Sequence, residues 1–266
     1  MAGSDAKRIL VALDTGSLSR SAVEAAARLA IGLGAQLEAL FVEDTQLLRL
    51  AELPFAREVG VTTAQARRFD TPGLERAIAV QAEQVRRALR SVAQELPLGW
   101  SFEVVRGDLV AVVLERTAGA DLVVLGMTRR PAFAATRTER THPRNDRRAG
   151  RHPIIAVFDG SDAGARALEA ALALERRVRA VLVAIPAPRA QQFAALRERA
   201  QTILAAQGKS AASYVALESA TIAAISAAAR RHHAGAVLLP VVDLARAEHE
   251  FEGLVDVIAC PVVLIK

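Results

Sequence analysis

The chain is poor in aromatics and almost empty of cysteine. Of its 266 residues, 4% are aromatic, with one Trp and one Tyr. Single-stranded nucleic-acid modules stack bases on aromatic platforms, so that class is disfavoured and nucleic acid is an unlikely partner. Cys260 stands alone, which excludes an intrachain disulfide and fits a reducing compartment. No apolar run reaches the roughly 18 to 20 residues of a membrane span, and Met1 to Arg8 has no apolar signal core. The expectation is a cytoplasmic protein without a transmembrane segment.

Several motifs are also missing. No Gly-x-Gly-x-x-Gly follows the first apolar run, where Asp14 stands instead of a glycine. There is no Walker loop and no Gly-x-Ser-x-Gly elbow. Paired acids of a receiver domain are absent at Leu13-Asp14-Thr15. His232 and His233 close a helical stretch, where cations suit the dipole, and have no further ligands at metal-site spacing. Cys260 reads as a packed residue beside Pro261. Asp121 reads as a turn residue rather than a base.

What is present comes twice. Arg8-Ile9-Leu10-Val11-Ala12-Leu13-Asp14 is an apolar run ending in Asp, and Pro153-Ile154-Ile155-Ala156-Val157-Phe158-Asp159 is another. Small turn residues and an Ala-rich amphipathic stretch follow each. A repeat of this size signals two copies of one supersecondary plan. With 52% hydrophobic residues, the chain can bury a core, and Ala, Leu and Val must fill it.

The first half predicts strands at Ile9–Leu13, Gln36–Val42, Trp100–Val105 and Asp121–Leu125. Between them fall helices at Ser19–Leu33, Pro72–Leu96 and Leu109–Ala118. The second half predicts strands at Ile154–Phe158, Ala180–Ile185, Ser213–Leu217, Ala236–Leu239 and Val262–Ile265. Its helices are Ala163–Arg176, Arg189–Gln207, Thr221–His232 and Glu250–Ala259. Fully apolar strands alternating with helices predict βαβ units and parallel sheet. The two halves differ. An insertion at about 44–71 interrupts half one, with Leu47, Leu48, Leu50, Leu53 and Phe55 clustered in it. That cluster is a locally packed helix, a docking surface or a lid. Half one also lacks a fifth strand. In its place, residues 129–151 carry eight arginines against Glu139 and Asp146. This segment reads as a solvated linker, and the basic character of the chain resides there.

Taken in order, these residues resemble the universal stress protein family in its tandem form. The marks are Asp14 and Asp159 after their strands, Leu40-Phe41-Val42-Glu43, Val105-Arg106-Gly107-Asp108, Ala120 to Gly126, and Cys260-Pro261-Val262-Val263-Leu264-Ile265. The resemblance implies an α/β fold of two Rossmann-like, doubly wound parallel sheets in tandem, packed as a pseudo-dimer. Residues 1–128 would form the first domain, 129–151 a linker and 152–266 the second domain. It implies a stress-response regulator or adaptor and not an enzyme.

Some members of that family bind ATP through Gly, two residues, Gly, nine residues, then Gly-Ser or Gly-Thr. Glycines there let backbone N–H groups cradle phosphate. This chain keeps Gly126, but Arg129 takes the second glycine position and Glu139-Arg140 the last. In half two, Pro240 replaces even the first glycine and has no N–H to offer. The expectation is degenerate nucleotide sites and no cofactor. The alternative is an adenine-nucleotide sensor, for ATP or AMP, in half one only. The resemblance would place that site on Asp14, Thr15, Val42, Gly126, Met127 and Arg129. The alternative reading has Asp14 and Asp159 each capping the following turn or helix. Arg129, Arg130 and Arg137 would either grip phosphate or lie solvated in the linker. The strand at Val262–Ile265, lacking a counterpart in half one, would pair irregularly with half one or build a homodimer.

Overall fold

The computed structural model describes residues 7–14, 20–53, 55, 57–59, 66–68, 71–94, 98–117, 119–126, 152–174, 180–208, 213–241, 258 and 260–266. The first βαβ unit forms as its sequence dictates. Strand β1 (Arg8–Asp14) is buried from Ile9 to Leu13, because every residue in that run is apolar. Helix α1 (Arg20–Leu33) ends at Gly34, with φ +63°. The Gly34 N–H bonds the Ile31 carbonyl at 3.3 Å and the Ala35 N–H bonds that of Ala30 at 2.7 Å. This is a Schellman closure, and its left-handed residue favours glycine. Strand β2 (Gln36–Asp44) then pairs parallel to β1.

The insertion after β2 holds a short helix, α2 (Thr45–Glu52), and a two-stranded ribbon, β3 (Arg57–Val59) with β4 (Ala66–Arg68). Leu48 and Ala51 are buried, whereas Leu50, Leu53 and Phe55 face outward, Phe55 at 76% exposure. The cluster is thus only partly a packed helix. Half one continues with α3 (Thr71–Gln94), β5 (Trp100–Gly107), α4 (Leu109–Thr117) and β6 (Leu122–Leu125). Half two runs β7 (Ile154–Val157), α5 (Asp162–Leu174), β8 (Val181–Pro186), α6 (Ala190–Ala206), β9 (Ser213–Leu217), α7 (Ile222–Arg231), β10 (Ala236–Pro240) and β11 (Val262–Ile265). The expected helix at Glu250–Ala259 and the linker at 129–151 lie outside the described residues.

The expectation of two separate sheets needs correction. Among the described residues, nine strands make one continuous sheet, in the order β5-β2-β1-β6-β11-β10-β7-β8-β9. Strand β11 joins the halves. It pairs parallel with β10 on one edge, Val263 opposite Leu238. On its other edge it pairs antiparallel with β6, Val263 opposite Val124. The irregular route into half one is therefore taken. Both edges of Val262–Ile265 are bonded within the chain, so that strand presents no open edge for a homodimer.

Pleating sorts the side chains to two faces. Ile9, Val11 and Leu13 belong to a core on one face that also takes in residues of α1, α3, α5 and α6. Leu10 and Ala12 belong to a core on the other face with residues of α4 and α7. Each core crosses the seam between the halves. Helices α1 and α5 lie so close that a Cβ at Gly32 would fall 2.8 Å from the Ala173 Cβ. Small residues on both helices make this approach possible, which gives the Ala-rich, aromatic-poor composition a structural role.

Because β11 is an interior strand, Val263→Pro should unfold the chain rather than dissociate a dimer. Proline has no N–H for the ladder and would leave a buried carbonyl unpaired, at a cost of about 1–3 kcal/mol for that group alone. Urea denaturation followed by circular dichroism should show a lowered midpoint or no folded baseline; an unchanged midpoint would contradict the sheet order.

Candidate functional site

Parallel α/β sheets bind ligands outside the carboxyl ends of their strands. In half one, three of the expected residues meet there. Asp14 ends β1 opposite Val42 of β2. Ala12 lies opposite Leu125, and the next residue, Gly126, donates its N–H to the Ala12 carbonyl at 3.0 Å. Val42 and Gly126 are buried and Asp14 is half-buried. Thr15, Met127 and Arg129 lie outside the described residues, as do Arg130 and Arg137.

The rim of this crevice is acidic, which the sequence reading missed. The Asp44 carboxylate caps α2, accepting from the N–H groups of Gln46 at 2.7 Å and Leu47 at 3.3 Å. Asp108 caps α4 in the same way, through Val110 at 3.0 Å and Ala111 at 3.1 Å. The Gln46 amide bridges to Asp108 at 3.5 Å. Beside them, Arg106 pairs with Glu43 at 3.0 Å and with Glu75 at 3.8 Å. A helix N-terminus attracts anions through its free N–H groups. At α2 and α4 a fixed carboxylate already takes that place. The signal was present: Asp44 and Asp108 each stand just before a helical run, the position where N-caps occur.

In half two the carboxylate after the first strand is engaged within the chain. Asp159 Oδ1 accepts from the Ser161 N–H at 2.9 Å and from its hydroxyl at 2.6 Å. Ser161 Oγ in turn accepts the Gly164 N–H at 3.0 Å, capping α5. A Cβ on Gly164 would fall 2.7 Å from Asp159 Oδ1, so glycine is what lets the carboxylate sit there. Gly160 turns the chain with φ +87°. Helix α6 closes over it: Arg199 Nη2 donates to the Gly160 carbonyl at 3.0 Å, and a Cβ there would meet Leu196 Cδ2 at 2.7 Å. Pro240 ends β10 opposite Ile265. For Asp159 the capping alternative is the one realised.

The remaining candidates are structural. Asp121 accepts the Arg8 N–H at 2.8 Å and donates its own N–H to the Arg8 carbonyl at 2.9 Å, so it clasps β1 to β6. Burial pushes the Cys260 thiol up from 9.0 to about 12, leaving it protonated and non-nucleophilic near neutrality. His232 closes α7, and His233 follows with φ 51°. Among the described residues, no group of three or more His, Cys, Asp or Glu gathers as a metal site. No helix among them is long and apolar enough to cross a membrane.

Comparison with known proteins follows the same lines. Residues 6–137 match the model of the Universal stress protein family. No curated protein matches the chain. Among solved structures, a universal stress protein from Archaeoglobus fulgidus DSM 4304 aligns over 100% of this chain and 99% of its own, at 13% identity and a TM-score of 0.48. A putative universal stress protein from Pseudomonas aeruginosa UCBPP-PA14 aligns over 98% and 93%, at 18% identity and a TM-score of 0.46. A member from Burkholderia pseudomallei aligns over 47% of this chain and 85% of its own, at 24% identity and a TM-score of 0.35. At such scores these likenesses add nothing to the strand order described above.

Two measurements check the roles assigned here. Asp159→Ala should destabilise the fold by about 1–2 kcal/mol, the usual cost of losing a helix-start carboxylate, while Asp159→Asn, which keeps an acceptor, should retain most of the stability. Labelling of Cys260 with an aromatic disulfide at about pH 8 should be on the order of a thousandfold slower in the native protein than in urea, because the thiolate fraction is that much smaller. Equal rates would contradict its burial.

Proposed function

We propose, from the universal stress protein family domain at residues 6–137, that this chain is a non-enzymatic stress-response regulator or adaptor whose nucleotide sites are both out of use. It works by presenting surfaces to a protein partner in the cytoplasm, without a cofactor. The recurrence of one strand order on either side of β11 supports a reading as two tandem copies packed as a pseudo-dimer. The observation that carries the functional reading is the half-two crevice. There Asp159 and Ser161 are spent on capping the start of α5, and Pro240, which has no N–H, stands where the family's first glycine would be. In half one, the carboxylates of Asp44 and Asp108 stand at the two described helix starts beside the strand ends.

A second reading has one observation in its favour. Asp14, Val42 and Gly126 do converge at the carboxyl edge of half one. This supports an adenine-nucleotide sensor, for ATP or AMP, confined to that half.

Titration calorimetry with ATP, ADP and AMP at millimolar ligand separates the two. The adaptor reading expects no heat, and no nucleotide in the mass spectrum of small molecules released from the denatured protein. A dissociation constant below about 0.1 mM that is lost in Asp14→Ala would overturn it in favour of the sensor.

A further inference from the structure

A cavity of about 570 Å³ opens at the seam, on the opposite sheet edge from the half-one crevice and beside the carboxyl end of β11. Its position follows from β11. That strand runs parallel to β10 and antiparallel to β6, so the amino ends of β1 and β6 meet the carboxyl end of β11 on one edge of the sheet. Leu33 and Ala170 contribute from α1 and α5, and Leu122 and Ile265 from the strands. These give the cavity an apolar floor made by both halves.

Its charged lining is predominantly basic. Lys7, Arg8, Arg166 and Lys266 stand against Asp121 and Glu169. The Asp121 carboxylate is already engaged with the Arg8 main-chain N–H at 2.8 Å. The Arg8 guanidinium lies on Gly119, where a Cβ would collide with it, so the backbone seats this cation rather than a carboxylate. Among the described residues, the side chains of Lys7 and Arg8 have no acidic partner. Arg166 spends only its Nε, on the Lys266 main-chain oxygen at 2.5 Å. Its terminal nitrogens remain for another acceptor.

We infer that this seam cavity binds a small organic oxyanion, with an apolar body on the floor and its charged group against Lys7 and Arg8. The volume lies in the range of small-molecule pockets and is far larger than a lone inorganic ion needs. Arginine suits planar, two-point recognition of phosphate or carboxylate oxygens. The site needs both halves, since neither Ile265 nor Arg166 belongs to the half that supplies Arg8.

Phenyl phosphate, which joins an apolar ring to an oxyanion, is the probe, and benzyl alcohol is its neutral counterpart. Calorimetry on the full chain should give a dissociation constant below about 1 mM for phenyl phosphate and no measurable binding of benzyl alcohol. The double variant Lys7→Glu and Arg8→Glu should weaken phenyl phosphate at least about tenfold, the scale of losing one charge-assisted hydrogen bond. Circular dichroism checks that this variant folds; Arg166→Gln serves as a second variant and should weaken binding in the same direction. Asp14→Ala, in the half-one crevice, should leave phenyl phosphate binding unchanged, which separates this site from a nucleotide site in half one. Absence of binding by the native chain, equal binding of benzyl alcohol, or full affinity in both charge variants would overturn the inference.

Discussion

The fold depends on one four-residue strand having bonded neighbours on both edges. Val262–Ile265 contributes main-chain hydrogen bonds to β10 and to β6, and its side chains enter both cores. An interior strand of this kind removes two sheet edges that would otherwise be open to other chains. It also fixes the relative direction of the halves, because only its antiparallel pairing with β6 joins them in the sheet. Helices α1 and α5 then cross the same seam on one face, at a distance set by Gly32 and Ala173. Larger side chains at that crossing would push the helices apart and strain the strand beneath them.

Much of this was legible before the structure. Runs such as Ile9–Leu13 and Ile154–Val157 are apolar at every position, and only a strand covered on both faces calls for that pattern. Gly34 marked the end of α1, and its φ of +63° is the reason. The joining of the halves was not legible. Val262–Ile265 announces itself as a doubly covered strand, but nothing in an apolar run names the neighbour on each edge. Pairing across more than a hundred residues is decided by which edges remain open once the local units have formed. The sequence pattern therefore left two partners for β11 open, half one or a second chain, and the structure chose the first.

The site divides in a similar way. Convergence of Asp14, Val42 and Gly126 follows from the parallel order of β1, β2 and β6, which local periodicity already implied. The fate of the crevices depends on short-range hydrogen bonds that composition does not reveal. Asp159 could be read as a ligand or as a cap, and its choice rests on Ser161 two residues on and on Gly164, which leaves it room. The capping roles of Asp44 and Asp108 are not visible to a search for phosphate-binding glycines. Each of these carboxylates accepts free N–H groups at the start of its own helix.

The same strand that closes the sheet also creates its unassigned concavity. In a single doubly wound sheet, the amino edge is ordinarily a place for turns, and the carboxyl edge gathers the functional groups. Joining two such sheets through an antiparallel contact brings an amino edge beside a carboxyl edge. At that junction the Asp121 carboxylate accepts the Arg8 N–H and the Asp121 N–H donates to the Arg8 carbonyl, which ties β1 to β6. The clasp spends a carboxylate oxygen of Asp121 on the backbone and not on the basic side chains around it. A structural requirement, holding the ends of three strands together, thereby leaves cations facing an apolar floor. Within this fold that combination arises only where the two halves meet, and neither half would contain it alone.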